Sequence, residues 1–305
     1  MSDNSEPDAL SKIRNEGGFF RLPPRLIIKV TGNDRLRYLN GQVTADLKKL
    51  TPDEAIQACL LTPKGKLSAL LWITATHEAL LLESEPELSD ALMERLSRYI
   101  IADDVTLKII EATPKIHFFG PILEHPIAQG IIGTKIHRFG LSGKDVALSE
   151  LETLAGLSSV QPLTEETVEA FRIAQGIPRW GYELTEETLP PEANLDKSCI
   201  DYEKGCYVGQ EVISRLKSRG HVNRLLLGFV GIGEIPLTRG MELFSQDDQP
   251  QQIGILTSAT KKIEGNPFIA LGYLKRGYDI IGAQLTAIDP ATEVATHVTV
   301  TSFPI

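Results

Sequence analysis

One short segment of the sequence, KGCYVGQEVISRLKSRG at residues 204–220, combines a cysteine, two acidic or amide side chains and a cluster of basic residues. Gly205 and Gly209 bracket Cys206, so the backbone there can adopt conformations that other residues avoid and a ligand can approach closely. Three roles are open for this cysteine: a working thiol, a metal ligand, or a small buried residue beside a turn.

The residues after this cysteine predict a helix that ends at Gly220, in which Glu211 stands four positions before Arg215 in the favourable order. Cys206 then lies just ahead of the helix N-terminus, where unpaired amides and the helix dipole stabilise a thiolate. Lys204 adds a positive charge nearby. Nucleophilic or metal-binding chemistry is therefore reasonable, although free cysteine is also among the most buried residue types.

Composition limits what the protein can be. The chain has 305 residues and a formal net charge of -9, from 31 basic and 40 acidic residues. Its length predicts two or three domains that fold without disulfides, and its three cysteines include no CxxC pair, which favours a reducing compartment. No apolar run approaches the roughly 18 residues of a membrane span. We expect a soluble, cytoplasmic protein with no direct nucleic-acid or membrane partner.

The elements that must position these residues begin with a strand–helix unit near the N-terminus. Residues 25–32 predict a strand, and residues 33–41 predict a helix with Asn33 or Asp34 as its N-cap and Gly41 as a left-handed stop. Two apolar runs then flank residues 63–66, whose turn chemistry predicts an antiparallel hairpin.

Two longer helices follow, and the sequence pattern then changes to that of short strands. An apolar stripe over 87–100 predicts an amphipathic helix, and Thr164 predicts the start of a helix that ends at Gly176. Residues 105–160 predict strands and loops. From Arg224 onward, short apolar runs at regular intervals predict a small all-β barrel.

The segment from Lys204 to Glu211 resembles the signature of the YgfZ-type proteins, since the pattern K-G-C-Y-x-G-Q-E is matched at every fixed position. The stretches VTGNDRLRYLNGQVTADL, LLTPKGKL, FRIAQGIPRWGYEL, TLPPEANLD and IALGYL extend the resemblance along nearly the whole chain. That family is similar to the glycine-cleavage aminomethyltransferase (T-protein). The resemblance implies an α+β fold: a three-part ring, with antiparallel sheets around a central opening, plus a C-terminal antiparallel β-barrel. The implied domains are 1–48 with 115–223, an insert at 49–114, and the barrel at 224–305.

The resemblance implies a folate-binding accessory protein in the maturation or repair of iron–sulfur proteins, including tRNA-modifying enzymes. Tetrahydrofolate is the implied cofactor, and iron–sulfur client proteins or assembly factors are the implied partners. Cys206 is the implied functional thiol. If it ligates an iron–sulfur cluster, the resemblance implies that it does so transiently, while the cluster is in transit. The other motif residues are implied to shape its loop: Lys204, Gly205, Tyr207, Gly209, Gln210 and Glu211.

The sequence also departs from its relatives. In the aminomethyltransferases, adjacent aspartates stand in the loop that corresponds to KGKLSALLWIT, and one orients the folate nitrogen; here the residues are Ala69 and Leu70. Because neither can accept a proton, we expect no aminomethyl transfer by that route. Bacterial YgfZ-type relatives place tryptophans around the pterin where this chain has Arg25 and Val168. A guanidinium can still lie on a pterin face.

Further candidates for ligand contact each have a structural alternative. Arg172 matches an arginine near the folate of the aminomethyltransferases, and its planar fork suits a carboxylate or pterin; it is otherwise a solvated helix charge. Trp180 and Tyr182 either wall a pterin or pack under the acidic loop. The basic run 215–224 has two interpretations. It is either a contact surface for an acidic partner or a folate glutamate tail, or a solvated helix face.

Two functions therefore compete. The complete cysteine motif and the missing aspartates favour the iron–sulfur accessory protein. The overall resemblance to the T-protein favours a tetrahydrofolate-dependent one-carbon transferase or demethylase. Whether the protein is an enzyme stays open, and the sequence lacks the acid–base group of an aminomethyltransferase.

Overall fold

A computed structural model describes residues 9–124, 131–151, 161–261 and 265–305. Within these ranges, every helix is too short or too polar to span a bilayer. The helices are α1 Ala9–Glu16, α2 Arg35–Asn40, α3 Ser89–Ser97, α4 Leu148–Leu151, α5 Glu165–Ala174 and α6 Gln210–Arg219. The strands are β1 Gly18–Arg21, β2 Leu26–Thr31, β3 Ile56–Leu61, β4 Leu67–Ala75, β5 Leu80–Ser84, β6 Thr106–Ile110, β7 Lys115–Phe119, β8 Thr134–Lys135, β9 Gly143–Ala147, β10 Arg224–Ile232, β11 Glu242–Phe244, β12 Gln252–Ala259, β13 Ile269–Lys275, β14 Gln284–Ile288 and β15 Ala295–Thr301.

The first half of the chain builds a five-stranded antiparallel sheet with the strand order β3-β4-β5-β2-β6. Burial alternates along β4, so Ala69, Leu71 and Ile73 face the main core. Helix α3 covers that face with Leu92 and Leu96, which are both buried. The period of two in the strand and the four-residue spacing in the helix thus bring one apolar face of each element together.

The second sheet is four-stranded and antiparallel, in the order β1-β7-β9-β8. Its Phe119 packs with Phe171 of α5, at 5.3 Å between ring centroids. The same core cluster includes Leu271 of β13, so α5 lies between this sheet and the C-terminal domain.

The C-terminal strands form a closed barrel in the order β10-β13-β12-β11-β14-β15. Val298 and Val300 point into the barrel core, and the alternating Thr299 and Thr301 remain partly exposed. The predicted barrel is confirmed, and so is the predicted α+β class with antiparallel sheets.

Most predicted local elements are confirmed, with two corrections, the first of which is helix α4, since only strands and loops were predicted over residues 105–160. The strand over 25–32, the hairpin around 63–66 and the helix that begins after Thr164 are all present, and the Thr164 hydroxyl accepts from the Thr167 N–H. Gly41, predicted as a left-handed stop, is right-handed with φ of -78°. Its N–H remains bonded to the last turn of α2, so the chain leaves the helix without a change of hand.

The predicted domain division stays a prediction, and one observation bears on its first boundary. That division grouped β2 with residues 1–48, whereas β2 pairs with β5 on one side and β6 on the other. The sheet that contains most of residues 49–114 therefore takes its fourth strand from the N-terminal segment.

Candidate functional site

A large cavity lies where the two sheets, helix α5 and the barrel meet. Its volume is about 1620 Å³, above the roughly 300–1,000 Å³ that is usual for small-molecule sites. Every part of the fold contributes lining residues, among them Phe20 of β1, Trp72 of β4, Glu83 of β5, Val168 of α5, Ser258 of β12 and Phe268 of the barrel. The cavity therefore exists only after the two sheets, helix α5 and the barrel have packed together.

Arg172, a predicted ligand contact, lies on α5 at the cavity wall and is almost fully buried. All five of its guanidinium N–H groups have acceptors within the protein: both Glu169 oxygens, Glu183 Oε2, the Ser258 hydroxyl and the Ile177 carbonyl. Burial alone would lower the pKa of Arg172, but the bond to Glu169 and the charge of Glu183 raise it. Arg172 thus joins α5 to the barrel, and its role as a ligand contact stays a prediction.

Glu169, which the sequence reasoning missed, presents a carboxylate to this cavity. Its oxygens accept from Arg172 at 2.8 and 2.9 Å and from Arg179 at 3.2 Å. Burial by itself would raise the pKa of Glu169, but these two arginines lower it, so the carboxylate is ionised at neutral pH. The signal in the sequence is the three-residue spacing of Glu169 and Arg172 on one helix face.

Arg25, the second predicted contact, lies at another part of the cavity wall within a chain of ion pairs. Its Nε is 3.3 Å from Glu83, and its NH1 bonds Glu85. Glu83 is also bound by Arg138 at 2.6 Å. Burial alone would raise the pKa of Glu83, but Arg138 and Arg25 hold it below its usual value. This network therefore supplies compensated charges beside the apolar wall.

Ala69 and Leu70, the positions of the missing aspartates, point in opposite directions. Ala69 is buried in the core, and Leu70 lines the cavity. The cavity is further walled by Trp72, by the predicted contact Val168 on α5, and by Trp180. Leu70 thus presents an isobutyl group to the cavity, and this side chain cannot accept a proton.

Cys206 is exposed and is not among the described residues that line the cavity. A Cβ added at the neighbouring Gly205 would meet only open space. Tyr207, in contrast, is buried, with the Lys204 ammonium 5.3 Å from its ring centroid. The loop therefore anchors itself on both sides of the cysteine and leaves the sulfur facing solvent.

Lys204 is the main anchor of this loop. Its buried ammonium donates to the carbonyls of Asn40, Val43 and Ala45, each at 2.7 Å. Burial lowers the pKa of Lys204 to about 8. One ammonium has three donors, and here each of them has a carbonyl acceptor.

Thr44, in the same receiving segment 40–45, holds an earlier part of the loop. Its hydroxyl donates to the Cys199 carbonyl at 2.5 Å and accepts from the Cys59 N–H at 2.9 Å. Its own carbonyl accepts from the Asp201 N–H at 3.0 Å. The stretch NGQVTA near the N-terminus is thus the surface on which the cysteine loop docks.

Gly209 ends the loop, and only glycine fits its backbone conformation and its surroundings. Its φ is +86°, and a Cβ there would lie 2.6 Å from the Thr62 carbonyl oxygen in the hairpin between β3 and β4. Gln210 then begins α6, and the exposed Glu211 pairs with Arg215 at 3.1 Å. The motif residues therefore have distinct structural roles around one exposed thiol.

Comparison with known proteins agrees with this architecture. No protein-family model matches the chain. A tRNA-modifying protein YgfZ from Yersinia pestis is 27% identical over 269 residues, which is 80% of each chain. The resemblance to the YgfZ-type proteins is confirmed. A chloroplastic protein of Arabidopsis thaliana that bears the provisional name of a transferase is 26% identical over 301 residues, or 89% of this chain and 68% of that protein.

The YgfZ resemblance is joined by a likeness in three dimensions. The glycine cleavage system aminomethyltransferase T from Bartonella henselae superposes with a TM-score of 0.81 over 97% of this chain and 88% of the other, at 19% identity. The chain therefore has the aminomethyltransferase fold, as predicted. Segment 40–45 and the loop that carries Cys206 dock on each other, and both lie in stretches on which the resemblance in sequence rests.

Proposed function

We propose that this protein is a folate-binding accessory factor of the YgfZ type, which acts through Cys206 in the maturation or repair of iron–sulfur proteins, including tRNA-modifying enzymes. The observation that carries the proposal is an exposed thiol on a loop that is held by a buried ammonium and by the Thr44 hydroxyl. The relatives named tRNA-modifying proteins support the link to tRNA modification.

The cavity suits a reduced folate in size and in chemistry. Trp72 and Trp180 offer flat apolar surface for a pterin ring, and the Glu169 carboxylate, which already accepts three N–H bonds, keeps one acceptor position for a pterin N–H. Glu169 is already oriented by two arginines, so little ordering is needed when a ligand binds. Tetrahydrofolate would supply a carrier for one-carbon units, and Leu70 offers it no proton acceptor at position 70.

Cys206 supplies at most one ligand to an iron–sulfur cluster that passes through. Among residues 9–124, 131–151, 161–261 and 265–305, no group of three metal-binding side chains occurs. We therefore propose that the remaining ligands come from the client protein or assembly factor. A thiolate is the ligand type that such clusters prefer.

A basic face beside the thiol is the proposed docking surface for these partners. Gly65 of the β3–β4 turn packs against Val212 of α6, which brings Lys64 next to the helix. Lys217 lies 3.5 Å from the ring centroid of Tyr202, within the cysteine loop. We propose that an acidic protein face, rather than nucleic acid, meets this surface, because the molecule as a whole carries a net charge of -9. The cytoplasmic location stays a prediction.

Two measurements test the proposal. In cells that lack the native gene, the Cys206→Ala variant should leave four-iron enzyme activities as low under oxidative stress as the deletion does, whereas Lys197→Ala, an exposed change in the same loop, should restore them. Calorimetric titration with tetrahydrofolate should show binding to both variants, because Cys206 lies outside the cavity lining. Normal four-iron activities with Cys206→Ala would contradict the role of the thiol.

The alternative function is a tetrahydrofolate-dependent one-carbon transferase or demethylase, which the aminomethyltransferase fold favours. The wall residue Leu70 speaks against it, since a cavity with no proton acceptor at this position loses general acid–base catalysis. An assay for methylenetetrahydrofolate with methylamine donors should find none. Turnover that survives Cys206→Ala would favour the alternative.

A further inference from the structure

The two remaining cysteines, Cys59 and Cys199, form a buried pair beneath the loop that carries Cys206. Gln57 and Cys59 are two residues apart on β3, so their side chains share one face of the strand. The Cys199 thiol lies over that face, where it donates to Gln57 Oε1 at 3.2 Å. Cys59 and Cys199 belong to one buried cluster, the Cys199 thiol raises the pKa of the Cys59 thiol, and neither residue is accessible to solvent.

The backbones of the two cysteines are also held close together. A single oxygen, the Thr44 hydroxyl, accepts from the Cys59 N–H at 2.9 Å and donates to the Cys199 carbonyl at 2.5 Å. Only two hydrogen bonds through one atom thus separate the two backbones, and a disulfide requires Cα atoms about 4.4–6.8 Å apart. Both residues are free thiols in the structure.

We propose that Cys59 and Cys199 are a disulfide-forming pair whose oxidation joins β3 to the Cys206 loop. The oxidant is hydrogen peroxide. Each thiol gives up one proton and one electron, a sulfur–sulfur bond forms, and the peroxide O–O bond is reduced to two molecules of water. Addition of a dithiol reductant reverses the step by thiol–disulfide exchange.

Burial sets the order in which the thiols react. Loss of solvent raises the pKa of the Cys59 thiol, and the contact with Cys199 raises it further, so thiolate is scarce at neutral pH. The exposed Cys206 therefore reacts first, and the pair is oxidised under sustained exposure or when the loop opens. The pair responds to persistent oxidation rather than to a brief pulse.

Oxidation would alter two parts of the candidate site together. The Cys199 S–H group would no longer donate to Gln57, whose side chain lines the cavity. The loop from Cys199 to Cys206 would gain a covalent attachment to the five-stranded sheet. One chemical event would thus change both the cavity wall and the support of the exposed thiol.

The experiment uses the full chain with Cys206→Ser, so that the exposed thiol cannot take part. After treatment with hydrogen peroxide, the protein is denatured, alkylated and digested, and its peptides are weighed. We expect a linked peptide pair that contains residues 59 and 199, lighter than the sum of the two thiol peptides by two hydrogens. The Cys199→Ser/Cys206→Ser variant is the matched control and should give no linked pair.

Peroxide can fail to link the pair either because it reaches buried thiols slowly or because the pair cannot form a disulfide. Refolding the same variant from urea in glutathione buffers distinguishes these two cases. The linked fraction should rise with the ratio of oxidised to reduced glutathione, and the oxidised form should melt about 5 °C higher than the reduced form. If both cysteines are recovered as alkylated thiols after refolding in the most oxidising buffer, the proposal is overturned. The test involves no folate and no client protein, so its outcome is independent of the proposed function.

Discussion

Replacement of Lys204 by methionine tests how the Cys206 loop is held. The ammonium donates to three carbonyls of segment 40–45, each at 2.7 Å. Methionine fills a similar volume but leaves these buried acceptors without a donor, which costs about 1–3 kcal/mol for each group. Relief from the burial of a charge offsets part of that cost. We expect the loop to lose about 3 kcal/mol of docking free energy, the lower end of the summed range.

The assay measures how often the loop opens. Cys199 is buried when the loop is docked, so a thiol reagent reaches it only after local opening. A loss of about 3 kcal/mol raises the open population, and with it the labelling rate of Cys199, about 100-fold. The rate is followed by peptide mass spectrometry in a Cys206→Ser background, so that the exposed thiol does not consume the reagent.

The control is Lys197→Met, which removes an exposed lysine from the same part of the chain. It should leave the labelling rate of Cys199 within a factor of about two, as is usual for surface substitutions. Equal labelling rates in Lys204→Met and Lys197→Met would refute the reasoning that the buried ammonium docks the loop. Urea unfolding of both variants shows whether the change is local or global.

The other predictions concern stability. Gly209→Ala should lower the free energy of unfolding by about 1–3 kcal/mol, because φ is +86° and the new Cβ would meet the Thr62 carbonyl, whereas Gly205→Ala in open space should change it little; equal urea midpoints would contradict this. Thr44→Val leaves two buried backbone groups unpaired and should cost about 2–4 kcal/mol, which a near-neutral urea midpoint would exclude. Burial alone would raise the pKa of Asp145, but the bond from His117 and the charge of Arg138 hold it well below its usual value. Its stabilisation is therefore complete above the unfolded pKa of about 3.9 and falls as the pH drops below that value, so urea midpoints between pH 2 and 6 should decline less steeply in Asp145→Asn.

Local elements of the fold could be predicted because their signals are local. Thr164 caps α5 through an N–H three residues away, and the turn at 63–66 joins neighbouring strands. The pairing of β2 with β5 and β6 could not be predicted in this way, since strand order depends on which apolar faces meet in space. Gly41 shows the same limit at one residue, because the path of the next segment decides its backbone conformation.

The candidate site also combines features set by local sequence with features set by long-range contacts. The motif singled out Cys206, and the sheet alternation that turns Leu70 toward the cavity is a property of the strand itself. Arg172 looked available for a ligand, yet its five donors are used, one of them by Ser258, which is 86 positions further along the chain. Glu169 gained its place in the cavity only through the arginines that hold it.

The sequence by itself determined the thiol, its glycine-rich loop, the helix that follows and the loss of the carboxylate, because these depend on residue type and short-range geometry. Only the tertiary structure decided that Cys206 faces solvent, that segment 40–45 receives Lys204, and that Cys59 meets Cys199. The physical reason is that these contacts join residues about 140–160 positions apart, so they form only when the entropy of closing a long loop has been offset.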